Sequence, residues 1–235
     1  VRLFIAQAKQ IQPVGQRQTV NGVTMTVEYL IVDQKQVNVF YTLESEEYPA
    51  LDGEPDFTLS DGGEVEAMVQ WGYSVGNEDS LRCITLDFSD GDVPDTLLMT
   101  YTARHVDPSV ENPRKQPILA EFNFALRLDP NFTRRGEVYA LNRELDLDGQ
   151  KITVKTVEIY PTHLRLNLAD HPENTAWLKE IDFYLEDEKG NHYEKISNGI
   201  TATGDPGGTP FMASHRLESS YFGDTKHLKL FLTGA

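Results

Sequence analysis

The sequence predicts an all-β chain: two tandem immunoglobulin-like β-sandwiches with one short N-terminal helix. Three observations carry this expectation. One pattern occurs twice, at a spacing near half of the 235 residues. Apolar residues alternate with the period of a strand, and the breaks between runs use hairpin dipeptides.

The repeat is clearest in Asn21-Gly22-Val23-Thr24-Met25-Thr26-Val27-Glu28-Tyr29-Leu30-Ile31-Val32 and Asp148-Gly149-Gln150-Lys151-Ile152-Thr153-Val154-Lys155-Thr156-Val157-Glu158-Ile159, offset by 127. In each copy the alternation slips by one residue, at Glu28–Tyr29 and at Lys155–Thr156. Such a slip exchanges the buried face, so the strand must bulge or change sheets there.

The elements follow in order. Residues 2–11 are expected to form the helix. Asn21-Gly22 is a hairpin dipeptide, and the run to Val32 is a strand. Val37, Val39 and Tyr41 mark the next strand, matched by Leu164, Leu166 and Leu168 at the same offset. Phe57 to Asp61, closed by Gly62-Gly63, is matched by Phe183 to Asp187 at an offset of 126, closed by Gly190. Val65–Trp71 and Leu81–Phe88 read as strands, and Leu97–Tyr101 pairs loosely with Leu228–Leu232. Pro172 to Lys179 could form one or two helical turns, with proline at the start. About seven strands per copy result. A polar break near residues 129–137 separates domains expected at 1–130 and 131–235.

Composition bounds the function. The chain carries 21 basic and 37 acidic residues, a formal charge of −16. Residues 1–130 hold 9 basic and 21 acidic side chains, a net of −12, and residues 131–235 hold the remaining −4. That balance argues against a nucleic-acid groove, which needs clustered cations, and against docking on anionic lipid. The argument is weaker for the second half. No apolar run approaches the roughly 20 residues of a membrane span. The start at Val1 reads as that of a fragment with something removed upstream. The single Cys83 lies in a strand-like run and reads as a small buried hydrophobe.

No motif with chemistry stands above its structural reading. Gly72-Tyr73-Ser74-Val75-Gly76 fits the G-x-S-x-G pattern, but the required helix after the serine is absent, and a hairpin turn is expected instead. Asp87, Asp90, Asp92 and Asp95 surround Gly91 and offer hard oxygen ligands for calcium, yet the EF-hand order is not met; a loop of solvated acids is expected. His105, His163, His171, His192, His215 and His227 lack zinc-ligand spacing. Gly204 to Pro210 lacks the Lys-Ser/Thr of a phosphate loop. Trp71, Tyr73, Trp177 and Tyr184 could form a sugar-stacking platform, or core and linker packing. Accordingly no catalytic residue, cofactor-binding residue, metal ligand or cofactor is nominated, and no enzyme is expected.

Pro13-Val14-Gly15-Gln16, the run Asn21–Tyr29 and Asp33 resemble the opening of an uncharacterised domain family. That family forms the extracytoplasmic part of membrane-anchored anti-sigma-factor-like proteins in Gram-positive bacteria. The second half, from Tyr139-Ala140-Leu141-Asn142 through Ile159–Leu164 to Asp187–Gly190, is similar to the partner domain that follows it. The resemblance implies a sensing or protein-interaction module outside the membrane. Its anchor would lie upstream, and a cytoplasmic segment would control a sigma factor. It supplies no ligand beyond an unknown protein or cell-envelope component. A secreted or cell-wall carbohydrate-binding or structural module is the alternative.

Overall fold

Asn21 and Gly22 both take positive φ, 49° and 76°, the geometry of a type I′ turn that matches the twist of the strands it joins. It folds β1 (Ile11–Val20) back as β2 (Val23–Val32). The computed structural model describes residues 11–75, 78–88, 91–106, 116–133, 135–175, 181–203 and 212–234. These form two compact units, within residues 9–134 and from residue 135 onward. The chain is all-β: among the described residues there are sixteen strands in antiparallel sheets and no helix.

In the first unit, β2 continues to β3 (Gln36–Ser45), β4 (Leu51–Leu59), β5 (Met68–Val75), β6 (Glu78–Asp87), β7 (Thr96–His105) and β8 (Ile118–Arg127). One sheet has the order β1-β2-β3-β6-β5 and the other β4-β7-β8. Alternate residues of both sheets meet in one core: Met25 and Val27 of β2, Val39 and Tyr41 of β3, Met99 and Tyr101 of β7, Phe122 and Phe124 of β8. The Tyr41 and Tyr101 hydroxyls, both inside it, bond each other at 3.2 Å, one donating and the other accepting, so each buried hydroxyl has a hydrogen-bond partner.

The second unit repeats this plan with β9 (Glu137–Leu147), β10 (Gln150–Ile159), β11 (Leu164–Asp170), β12 (Asp182–Asp187), β13 (His192–Tyr193), β14 (Lys195–Thr203), β15 (Met212–Leu217) and β16 (Leu228–Gly234). Its larger sheet runs β9-β10-β11-β15-β14, the same connectivity as β1-β2-β3-β6-β5. Register shifts occur at matched places, between Val27 and Tyr29 and between Val154 and Thr156; the phase slips in the sequence are β-bulges. Positive-φ residues match as well. Gly15 and Asn142 take 64° and 46°, and Asn21-Gly22 corresponds to Asp148-Gly149. The matching β12 and β4 turns are closed by Gly190 and Gly62.

Four expectations need comment. The N-terminal helix at residues 2–11 lies outside the described residues apart from Ile11, which opens β1. Of Pro172–Lys179, Pro172 and Glu173 form a turn and residues 176–180 lie outside the described set. Each unit has eight strands among the described residues rather than about seven. The Phe57/Phe183 alignment is two residues out. Gly62 and Gly190 close equivalent turns, and the Thr58–Glu64 bridge corresponds to the Glu186–His192 pair. The true offset there is 128, which matches Phe57 with Leu185. A two-residue slide keeps the same face, so sequence alternation alone could not detect it.

Candidate interaction surface

The residues singled out in the sequence do not converge. Gly72–Val75 lie within β5, which pairs antiparallel with β6, and Gly76 lies outside the described residues. The serine of the G-x-S-x-G run is therefore in a strand, neither in the expected hairpin turn nor in a strand-to-helix elbow. In the acidic loop, Asp92 is held by Lys35 Nζ at 3.1 Å and accepts hydrogen bonds from Gln34 Nε2. Lys35 Nζ also donates to the Gly91 carbonyl at 2.7 Å. Asp92 is thus turned to a cation of its own chain, while Asp90 lies outside the described residues. Among the described residues no group of three or more His, Cys, Asp or Glu is placed to hold a metal ion. Cys83 is buried, as expected of a small hydrophobe. Trp71 is exposed, the Tyr73 side chain and Trp177 lie outside the described set, and Tyr184 is stacked between His192 at 4.5 Å and Phe231 at 5.1 Å. Both faces of the Tyr184 ring are therefore occupied, leaving no flat face for a sugar.

The second unit buries His163 and His215 together with two arginines that the sequence did not single out. Arg165 and Arg216 are cross-strand neighbours on β11 and β15, and both are buried. An Arg165 N–H donates to His163 Nε2 at 3.1 Å, and His163 Nδ1 lies 2.8 Å from Thr162 Oγ1. A guanidinium can only donate, so Nε2 accepts and the imidazole proton sits on Nδ1. Burial first, then the charges of Arg165 and Arg216, hold the His163 pKa well below its usual value. His215, opposite Leu166 on β15, stands where the first unit has core Ile84 opposite Val39. Its ring packs edge-on against Phe183, and its Nδ1 has no hydrogen-bond partner among the described residues. Burial, with a smaller effect of Lys195, lowers its pKa to about 4.

The largest difference between the units lies along one edge. In the first, β8 covers the outer edge of β7, with Leu126, Phe124, Phe122 and Ala120 opposite Leu97, Met99, Tyr101 and Ala103. From above, β1 clasps β8 by side-chain amides. Gln12, Gln16 and Gln18 donate to the carbonyls of Arg127, Ala125 and Asn123 at 2.7, 3.1 and 2.5 Å, and Asn21 donates to that of Leu119 at 2.9 Å. Gln12 and Gln18 also accept the Asp129 and Asn123 N–H groups. In the second unit β16 takes the place of β7, pairs with β12, and has no strand on its other side among the described residues. Leu232, at the register of fully buried Tyr101, is 38% exposed. Leu228 and Leu230, matching buried Leu97 and Met99, are half-buried. On β9, Tyr139 and Leu141 hold the register positions of Gln12 and Val14 and are 49% and 51% exposed. Among the described residues the outer edge of β16 is unpaired, and β9, the edge strand of the other sheet, carries exposed apolar side chains of its own.

Two family models match separate parts of the chain. Residues 2–45 match the family described as "Domain of unknown function (DUF4179)". Residues 136–233 match the "Family of unknown function (DUF5643)". Comparison with curated proteins finds no match. Among solved structures, the chain is similar to the crystal structure of the conserved domain protein from Bacillus anthracis. The TM-score is 0.63 at 17% identity, over 99% of this chain and 82% of that one. At that identity the likeness is one of fold.

Proposed function

We propose that the chain is a non-catalytic, extracytoplasmic interaction module of a membrane-anchored, anti-sigma-factor-like regulator, built as two immunoglobulin-like β-sandwiches. The observation that carries this reading is the match of residues 2–45 to DUF4179, a domain typical of anti-sigma-factor-like proteins. The Asn21-Gly22 hairpin and the bulged β2 strand, the parts of the fold that resemble that family, lie inside the match. The repeated sheet order, with the DUF5643 match behind it, supports a tandem of two related domains. In this reading a protein or envelope component binds outside the membrane, an anchor upstream of residue 1 carries the chain, and a cytoplasmic segment answers to a sigma factor. Binding would use loops and strand edges, where two sheets sharing a core present main-chain groups.

A deletion in the host tests it. Removing the codons for residues 11–235, with everything upstream kept, is expected to change transcription from the promoters of the cognate sigma factor at least severalfold. Unchanged transcription with a stably accumulated truncated product would overturn the reading.

A further inference from the structure

We propose that the seam between β14 and β15 in the second unit is an acid-sensitive latch: uptake of a proton by His215 parts β14 from β15 while β10 and β11 stay paired. This goes beyond the regulator reading and does not depend on it.

The first unit shows how the same seam is built without titratable groups. There Val69 of β5 lies opposite Leu86, and Ile84 stands two residues before Leu86 on the same side of β6. Ile84 is fully buried, and Val69 packs against the core. In the second unit Leu217 takes the place of Leu86, Lys195 that of Val69 and His215 that of Ile84. Two apolar side chains have become two basic ones along one seam. Both seams carry a register shift here, between Gln70 and Tyr73 and between Lys195 and Ile200. Past the shift, β14 is joined to β15 only through Ile200, Thr201, Ala202 and Thr203. Ile200 lies directly opposite His215 and is 45% exposed, so water stands one residue away from the buried ring.

Phe183 of β12 links the two basic groups. The His215 ring packs against it at a centroid distance of 5.1 Å and an angle of 76°, and Lys195 Nζ lies 5.5 Å from its centroid. Lys195 Nζ donates to the Ile181 carbonyl at 3.0 Å and to Asp182 Oδ1 at 2.9 Å. A neutral imidazole fits this arrangement, whereas an imidazolium sets a second cation against one ring. The surroundings offer that cation no counter-charge among the described residues. β11 faces it with Leu166, β12 with Phe183, and β14 with Ile200 and Lys195. The Asp182 carboxylate is engaged by Lys195. Arg165 and Arg216 are cations themselves, and strand alternation turns them to the other side of β11 and β15. Burial first, then the charge of Lys195, oppose the proton while the seam is closed. Moving β14 away hydrates Nδ1, which has no hydrogen-bond partner among the described residues, and takes Lys195 off Phe183. The open seam therefore binds the proton more tightly than the closed one, and acid shifts the population toward it.

The test follows the whole 235-residue chain by NMR between about pH 7 and about pH 4. Amide exchange is read at the residues paired across the seam and at those paired between β10 and β11, each corrected for the exchange of an unstructured amide at the same pH. An imidazole that titrates near 6.5 when open and at about 4 when closed makes seam opening rise about tenfold from pH 7 to pH 5. The β10–β11 amides are expected to keep their protection over that range. The His215 ring, followed by its carbon-bound protons, is expected to titrate near the lower value. In His215→Ile, which restores the residue of the first unit, the rise should vanish. Seam protection that is the same at pH 7 and pH 5 overturns the proposal, as does a rise in opening that persists in His215→Ile. A His215 ring that titrates near pH 6.5 with the seam still protected overturns it without recourse to any variant. An equal rise at the β10–β11 amides also overturns it, because the whole unit then opens instead of the seam.

Discussion

At the scale of single residues, two buried polar groups make opposite predictions. His215 occupies a core position with an unpartnered Nδ1 and a pKa held at about 4 by burial. The unfolded chain takes up that proton near pH 6.5, so between about pH 6.5 and pH 4 the unfolded state binds more protons than the folded one. Stability must then fall as the pH falls through that window. Allowing for screening by solvent, the loss from pH 7 to pH 5 is about 1–2 kcal/mol. His215→Ile, which copies Ile84 of the first unit, is expected to be at least as stable at pH 7 and to remove that share of the slope in urea titrations. An unchanged slope would show that His163, also held below its usual value, carries all of it. The Tyr41–Tyr101 pair is the satisfied case. Tyr41→Phe strands the Tyr101 hydroxyl in the core at a cost of about 1–3 kcal/mol, whereas Tyr41→Phe with Tyr101→Phe costs less than the sum of the single changes. Additive costs in the double-mutant cycle would contradict the pairing. The sequence placed Tyr41 and Tyr101 on strands but showed neither their bond nor the burial of His215. His215 is flanked by the polar Ser214 and Arg216, and only its register against Leu166 places it inside.

At the scale of elements, the bulge at Gly15 and Asn142 is a shared device with two chemical solutions. Gly15 has φ of 64° and open space where a side chain would start, so a substitution there meets conformational strain alone. Gly15→Asn copies the second unit and is expected to be nearly neutral, whereas Gly15→Val, β-branched in a left-handed position, costs about 1–2 kcal/mol. Equal melting of the two variants would mean that the bulge relaxes. The amide clasp is the device of the first unit alone. Gln12→Ala with Gln18→Ala removes the acceptors of the Asp129 and Asn123 N–H groups. Faster exchange at those two amides is expected, with a loss of about 1–3 kcal/mol, and a freer β8 edge more prone to pair with other chains. Exchange unchanged at both amides would remove the clasp from the account. The bulges could be read from the phase slips because a strand's period is local. The clasp could not, since a glutamine that caps a carbonyl more than a hundred residues away looks like any exposed polar side chain.

At the scale of the molecule, the sequence repeat located two related folds, but only the topology shows that, among the described residues, β8 has no counterpart beside β16. A repeat in sequence displays the parts that recur, and here the difference between the units has to be read from the fold. It also sets the order of stability. Among the described residues the first core gathers 23 buried apolar side chains and the second 10. Each fully buried aliphatic or aromatic side chain contributes about 1.5–3 kcal/mol, in part offset by the entropy of ordering it. The second unit also places His215 at a core position and buries His163, Arg165 and Arg216, and such groups add less stability than apolar ones of equal volume. It is therefore expected to open first. Hydrogen exchange read by mass spectrometry in rising urea should show β10, β11 and β15 losing protection at a lower concentration than β2, β3 and β7. Loss of protection at one common urea concentration would mean that the two cores unfold as one, and that the smaller core does not set the weaker unit.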